Sequence, residues 1–501
     1  MTSNDLTFSV RVSVQGRSLV AIDDYAIRRD GITMLFGESG IGKSLINRAI
    51  YGLLAPDEFT FEVNGKRGEE YLRSEPTREI LANGFFVFQE PSSHLHPLLT
   101  IGEQLREGSL AGNLDEERIL AELWGGISAQ LPPDLLKIYP RPFRPSGGEK
   151  QRILLAMAFK KIDQWVAAKH PAGGPLFVFD EPTGSLDNRF RDVVLRMLFD
   201  RYRRKPFSAV VISHDYSMVS MIKREHADLE RLISYRELSK KDGRLSLHPF
   251  EPETYLRWLQ TQKIPSRVQG ERSVVGRVDS TLRVFGRQLQ VSADETRRRP
   301  TNLILHRGVM TYVKAPSGMG KTTLVKVMMG LLRAEQFRME LDDSTLTEET
   351  REDVWRRNLW GRRMTMVFQH ADEALNPNST VGESFRGLPL AFPPTKAAVI
   401  TLLENLFSGE VAREIFAKKV AGLSGGQKQR LNLLRGLSLQ TDLLILDEPL
   451  NGLDFESGVR VLEMLRLRLE KGGAILVISH NEEIFDSQVR PEDVYFLGEK
   501  Q

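Results

Sequence analysis

The chain has 501 residues, too many for one compact core, so two or more domains are expected. Its 69 Lys and Arg nearly balance its 66 Asp and Glu, leaving no bulk charge that would favour nucleic acid or anionic lipid. It has no cysteine, which excludes disulfides, iron–sulfur clusters and thiolate zinc sites and fits a reducing compartment.

The opening, MTSNDLTFSV, lacks the basic and apolar regions of a secretory signal, and no run approaches the ~20 apolar residues of a spanning helix. A soluble, cytoplasmic chain is expected. The run GITMLF (31–36) reads as a buried strand and leads into GESGIGKS (37–44) and the helical pattern SLINRAIYGLL. Strand, glycine-rich turn and helix form the context of a phosphate-binding loop. Gly37, Gly40 and Gly42 would let backbone N–H groups curl around a phosphate at a helix N-terminus. Lys43 would reach the β- and γ-phosphates, and Ser44 would ligate Mg2+.

FVFQEP (86–91) comes next, followed by a less strand-like region that reads as a helical subdomain. RPFRPSGGEKQR (141–152) leads into another helical pattern, and the Pro and Gly of QWVAAKHPAGG (164–174) suggest a surface loop. LFVFDEP (176–182) buries a strand and delivers Asp180 and Glu181 to its C-terminal end, where ligands bind in such sheets. Asp180 suits the Mg2+ shell and Glu181 suits polarising an attacking water. RYRRK (201–205) reads as a solvated face, and SAVVIS precedes His214. The alternation of strand and helix predicts a mostly parallel α/β sheet.

Five of these motifs then recur in order, whereas QWVAAKHPAGG is an extra stretch of the first copy. APSGMGKT (315–322) repeats the phosphate loop, MVFQHA (366–371) the FQ segment, and LSGGQKQR (423–430) the SGG segment. LLILDEPLNGLD (443–454) and ILVISHN (475–481) repeat the rest, giving Asp447, Glu448 and His480. Lys43 to Ser146 and Lys321 to Ser424 are both 103 positions. The histidine follows the first carboxylate by 34 positions in one copy and 33 in the other, which favours a role at the γ-phosphate. The copies span 1–250 and 273–501, and the polar stretch 251–272 reads as a linker.

Together these residues resemble the nucleotide-binding domains of ATP-binding cassette (ABC) proteins over nearly the whole chain. The resemblance implies two tandem P-loop domains, each with a mixed or parallel core sheet, a helical subdomain and a small antiparallel β subdomain. It also implies that the cassettes pair head to tail, with each ATP–Mg2+ between one phosphate loop and the other domain's signature. The ATP contacts would be Gly37, Gly40, Gly42, Lys43 and Ser44 with Ser424, Gly425, Gly426 and Gln427 in one site. In the other they would be Ala315, Gly318, Gly320, Lys321, Thr322 and Thr323 with Ser146, Gly147 and Gly148. Mg2+ would be held by Ser44, Gln89 and Asp180, and by Thr322, Gln369 and Asp447. Glu181 with His214, and Glu448 with His480, would be the hydrolytic pairs, and Asp187 and Asp454 would close the D-loops. The family stacks an aromatic residue on adenine; Phe285 is the candidate in the second copy, and the first offers none.

The flanks FQEPSSHLHPLLTIGEQLREG and FQHADEALNPNSTVGESFRG resemble the ATPases of dipeptide, oligopeptide and nickel importers. That implies two transmembrane permease subunits, an extracytoplasmic solute-binding protein and a place on the inner face of the cell membrane. His94 and His96 align with the ordinary loop of that segment rather than a metal site. That group usually carries a Pro-rich extension after each cassette, whereas the given sequence runs about 20 residues past His480. The alternative is an ABC ATPase that remodels or assembles a cytosolic enzyme complex. Head-to-tail pairing would place Ala315, which replaces the loop's first glycine, in one site with Pro145 and Glu149 of the altered signature. That site is expected to be slower.

Overall fold

A computed structural model describes residues 5–107, 116–125, 135–139, 145–168, 174–184, 188–241, 244–262, 273–296 and 299–500. The chain divides into two compact units, Met1–Leu256 and Arg257–Gln501. The polar stretch after Glu251 contains a helix, Pro252–Thr261, and the division falls within it.

The strands of the first unit are β1 (Asp5–Val14), β2 (Arg17–Arg28), β3 (Ile32–Gly37), β4 (Thr60–Val63), β5 (Lys66–Arg67), β6 (Phe85–Val87), β7 (Leu176–Asp180), β8 (Ser208–Ile212), β9 (Ile233–Lys241) and β10 (Arg244–Pro249). A small antiparallel sheet has the order β2-β1-β4-β5. The main sheet runs β10-β9-β3-β8-β7-β6 and is parallel except for its β10 edge. Strands β3, β7 and β8 are buried at every position, so they read as unbroken apolar runs rather than alternations.

In the second unit the strands are β11 (Val274–Val278), β12 (Thr281–Val284), β13 (Arg287–Ser292), β14 (Leu303–His306), β15 (Met310–Lys314), β16 (Arg338–Leu341), β17 (Ser344–Thr347), β18 (Met364–Val367), β19 (Leu443–Asp447), β20 (Ala474–Ile478) and β21 (Val494–Glu499). The small sheet is β14-β11-β16-β17, and the main sheet is β12-β13-β21-β15-β20-β19-β18. Its centre, β21-β15-β20-β19-β18, is parallel, and the β12–β13 hairpin extends one edge.

Two details depart from expectation. The helix Gly147–Ala167 runs into the stretch expected as a loop; at its end Lys205 Nζ donates to the carbonyls of Trp165 and Ala168 at 2.9 and 3.0 Å and lies 3.8 Å from the Trp165 ring centroid. Residues 169–173 of that stretch lie outside the described residues. RYRRK is only partly a solvated face: Arg201 is buried and bonded to Asp163 at 2.8 Å, and Arg203 pairs with Asp228.

Candidate nucleotide-binding and hydrolysis sites

In each unit the central strand breaks into a loop of left-handed glycines and then a helix. Gly37, Gly40 and Gly42 have φ of 137°, 77° and 114°, and helix Lys43–Ile50 starts on Gly42. Gly318 and Gly320 have φ of 76° and 103°, and helix Lys321–Met328 starts on Gly320. The first N–H groups of these helices have no intrahelical acceptor, which makes each loop a cradle for an anion.

Both loop lysines are buried. Lys43 Nζ donates to the carbonyls of Gly37 and Glu38, the latter at 3.0 Å, and Lys321 Nζ donates to that of Ala315 at 2.6 Å. The position that differs between the loops thus offers its carbonyl, which a methyl group leaves unchanged. Burial lowers the Lys43 pKa, partly offset by Glu181, Asp180, Glu38 and Glu237.

β7 and β19 deliver Asp180 and Asp447 to the same place. Ser44 Oγ donates to Asp180 Oδ1 at 2.8 Å, and Thr322 donates to Asp447. The other oxygen of each carboxylate, Oδ2, is buried and unpartnered. Burial pushes both aspartates up to about 6. A hard oxygen donor pair with one orphaned carboxylate oxygen, beside a phosphate cradle, is what a Mg2+–nucleotide would satisfy.

Glu181 and Glu448 directly follow these strands with φ of 46° and 50°, a conformation that costs an L-residue roughly 1–2 kcal/mol. Each backbone N–H still bonds the neighbouring strand, Glu181 to Ile212 at 3.1 Å and Glu448 to Ile478 at 2.9 Å. The side chains are held differently. Glu181 Oε2 lies 3.0 Å from His214 Nδ1. Glu448 Oε2 accepts from Ser479 Oγ at 2.8 Å and from the His480 backbone N–H at 3.0 Å, while His480 Nε2 stands 3.5 Å from Oε1. Burial raises Glu448 to about 7 against those two hydrogen bonds. His214 loses by burial but gains more from the Glu181 carboxylate, so its pKa is raised.

The signature residues form a separate element of each unit. Ser146 and Ser424 cap helices Gly147–Ala167 and Gly425–Ser438. The Glu149 carboxylate accepts from its own cap N–H, Ser146 N, at 2.6 Å, and Gln427 Oε1 does the same for Ser424 N at 3.1 Å. Both are capping boxes. The Glu149 charge is therefore tied to its own helix, and is not aimed outward as an anion. Pro145 is buried ahead of Ser146, as Leu423 is ahead of Ser424. Lys150 reaches Ser92 at 3.2 Å and Lys428 reaches Asp372 at 2.8 Å, so each signature helix is tied to the loop after Gln89 or Gln369. Those glutamines follow β6 and β18, the neighbours of β7 and β19. Asp454 caps helix Phe455–Glu470 through a 2.7 Å bond from Ser457 N, whereas Asp187 lies outside the described residues.

Phe285 sits in the two-residue turn of the β12–β13 hairpin, 72% exposed at φ 52°, with Gly286 behind it. Leu289 of that hairpin borders the phosphate loop, 3.2 Å from where a Cβ on Gly320 would lie. Gln15–Gly16 makes the corresponding turn between β1 and β2 in the first unit. Setting the two copies side by side in sequence would have found that pairing. Among the described residues no cluster of metal-ligating side chains stands elsewhere, and His94 lies flat on Phe88, ring centroids 3.3 Å apart.

The sequence model of the family described as ABC transporter matches residues 22–171 and 299–451, more than half of the chain. The peptidoglycan transport ATP-binding protein YejF of Agrobacterium fabrum is 28% identical, over 94% of this chain and 87% of that protein. The glutathione import ATP-binding protein GsiA of Pectobacterium atrosepticum is 24% identical, over 98% of this chain and 84% of that protein. Among solved structures, RNase-L Inhibitor shares the fold at a TM-score of 0.60 and 18% identity, covering 97% of this chain and 89% of its own.

Proposed function

The chain belongs to the ABC transporter family, and from that premise we propose that it is the ATP-hydrolysing subunit of an import system for peptides or similar small solutes. The family's ATP-binding proteins are ATPases that use ATP with Mg2+. The observation that carries the reading is the presence, twice, of a phosphate cradle, a carboxylate with an orphaned oxygen and a Glu–His pair at the ends of adjacent strands. The importer class rests on the segments after Gln89 and Gln369 and on the relatives, one named a peptidoglycan transport and one a glutathione import ATP-binding protein.

In this reading the cassettes close head to tail. Lys43 and the N–H groups after Gly40 hold the β- and γ-phosphates of one nucleotide, and Ser424, Gly425, Gly426 and Gln427 cover it. Lys321, Thr323 and the N–H groups after Gly318 hold the other, covered by Ser146, Gly147 and Gly148. Ser44 with Asp180, and Thr322 with Asp447, hold Mg2+, with Gln89 and Gln369 completing the two shells. Mg2+ held by these residues would neutralise charge developing on the phosphates. Glu181 keeps one oxygen on His214 and offers the other to the attacking water as a general base; Glu448 keeps Oε2 on Ser479 and the His480 backbone N–H and offers Oε1, on the side of the His480 ring, to its own water. Phe285 stacks on the adenine of the second site. The second site is the slower, because its glutamate is the more deeply locked in place.

Two permease subunits and an extracytoplasmic solute-binding protein are the partners, and the chain works on the inner face of the cell membrane. Among the described residues no helix is long and apolar enough to cross a membrane, so contact with the bilayer would run through the permease. Affinity purification from solubilised membranes tests this. Recovery of two integral-membrane subunits supports it, and a defined complex with a soluble enzyme and no permease would establish the assembly-ATPase alternative instead.

A further inference from the structure

Behind the first hydrolytic pair lies a buried arginine that no part of the ATP chemistry above uses. Arg191 stands on helix Asn188–Arg204, its side chain only 8% exposed. Its Nη1 donates to Asp215 Oδ2 at 2.8 Å, to Asn188 Oδ1 at 3.2 Å and to Ser217 Oγ; its Nε and Nη2 donate to Asp192 Oδ1 at 2.9 and 2.8 Å. Asp215 directly follows His214. Its own Oδ1 accepts from Ser217 N at 3.0 Å and from Ser217 Oγ, and its N–H donates to Ser213 Oγ at 3.0 Å. The turn that carries His214 is therefore fixed on both sides, by its own hydrogen bonds and by the helix that follows the Asp180–Glu181 strand.

The second unit is built without this arrangement. Counting from Asp187 and Asp454, Gly458 holds the position of Arg191, and a Cβ there would meet nothing within 4 Å; counting from His214 and His480, Asn481 holds that of Asp215. The fold thus forms without the arginine, so its presence in one unit calls for a local reason. Burying a guanidinium among two carboxylates carries a desolvation cost that an apolar side chain would avoid. The local correlate is the histidine: Nδ1 of His214 touches its glutamate at 3.0 Å, whereas Nε2 of His480 stands off at 3.5 Å.

We propose that Arg191 is a positioning residue for hydrolysis at the first site, holding His214 against Glu181 through Asp215. The proposal rests on Glu181 and His214 being the hydrolytic pair. It also means that movement of the Asn188 helix reaches the histidine directly in the first unit and not by this route in the second.

The test uses the full chain carrying Glu448→Gln, so that residual turnover reports the first site. Arg191→Gln is expected to lower kcat about ten- to a hundredfold, with KM for ATP changed by no more than about twofold. Arg191→Lys should recover part of the loss, because an ammonium can still meet Asp215 but not fork onto Asp192. Asp215→Asn should lower kcat similarly, and the double variant should lose no more than either single one. An unchanged kcat in Arg191→Gln would overturn the proposal. So would a loss of kcat, nucleotide binding and melting temperature together that lysine does not relieve, which is the signature of a merely structural ion pair. Turnover abolished by Glu181→Gln but untouched by Arg191→Gln overturns the proposal alone; turnover that survives Glu181→Gln overturns the site assignment and the proposal with it.

Discussion

Gly37 and Ala315 open the two phosphate loops, yet only one of them must be glycine. Gly37 has φ 137°, and a Cβ there would come within 2.5 Å of the Leu238 carbonyl oxygen. Ala315 is not among the described residues with left-handed backbone, and its methyl packs against the core of its unit. The strain that the glycine-to-alanine difference suggests in sequence is therefore not stored in the second loop. Gly37→Ala is expected to cost roughly 1–2 kcal/mol and weaken nucleotide binding at the first site about tenfold. Ala315→Gly should change the second site's affinity by less than about 0.5 kcal/mol. Titration of each variant with a fluorescent ATP analogue, on a background with the other loop's lysine removed, separates the two.

At the scale of the element, β7 and β19 end by burying carboxylates, and this gives the protein a pH dependence. Burial, opposed by the hydrogen bonds these carboxylates accept, lifts Asp180 and Asp447 to about 6 and Glu448 to about 7, from 3.8, 3.8 and 4.5. A carboxylate with a raised folded pKa keeps its proton when the unfolded chain has lost it. Its contribution is complete below the unfolded pKa and is lost as pH rises through the folded one, so the metal-free protein is destabilised by these groups between about pH 4 and pH 7. Binding of Mg2+–ATP must expel those protons. Calorimetric titrations in two buffers of different ionisation enthalpy should find proton release growing from about pH 7.5 to pH 6, and a release that stays at zero would contradict the pKa shifts. The elements themselves were legible: unbroken apolar runs ending in Asp-Glu leave little choice but a buried parallel strand, and Ser-Gly-Gly before a helical pattern leaves little but a cap. Helix SLINRAIYGLL stops short at Ile50, where Gly52 turns left-handed at φ 73°. Less legible was what the side chains do. Ser146 to Glu149 spells a capping box as readily as it spells an anion near phosphate, and the backbone N–H wins the carboxylate. Arg191 could not be read at all, because its partner Asp215 lies 24 positions away.

For the whole molecule, the internal repeat made two domains visible, whereas their inequality only partly followed from motif spelling. Pro145 and Glu149 look like damage but preserve the cap, and Ala315 is unstrained. The differences that bear on chemistry lie in how each glutamate is held. Single Glu181→Gln and Glu448→Gln variants of the full chain should therefore lose unequal shares of ATP turnover, with Glu181→Gln removing the larger, as steady-state phosphate release would measure. Equal losses would remove the inequality, and full activity in Glu448→Gln would make the second half silent. The backbone at these two positions bears on that last outcome. At φ 46° and 50°, glycine would be the more stable residue in both places. Each half would therefore fold better without the group that does its chemistry, a standing conflict between robustness and activity. A half released from hydrolysis would be free to relax that conflict by drifting to glycine, and this chain has done so in neither.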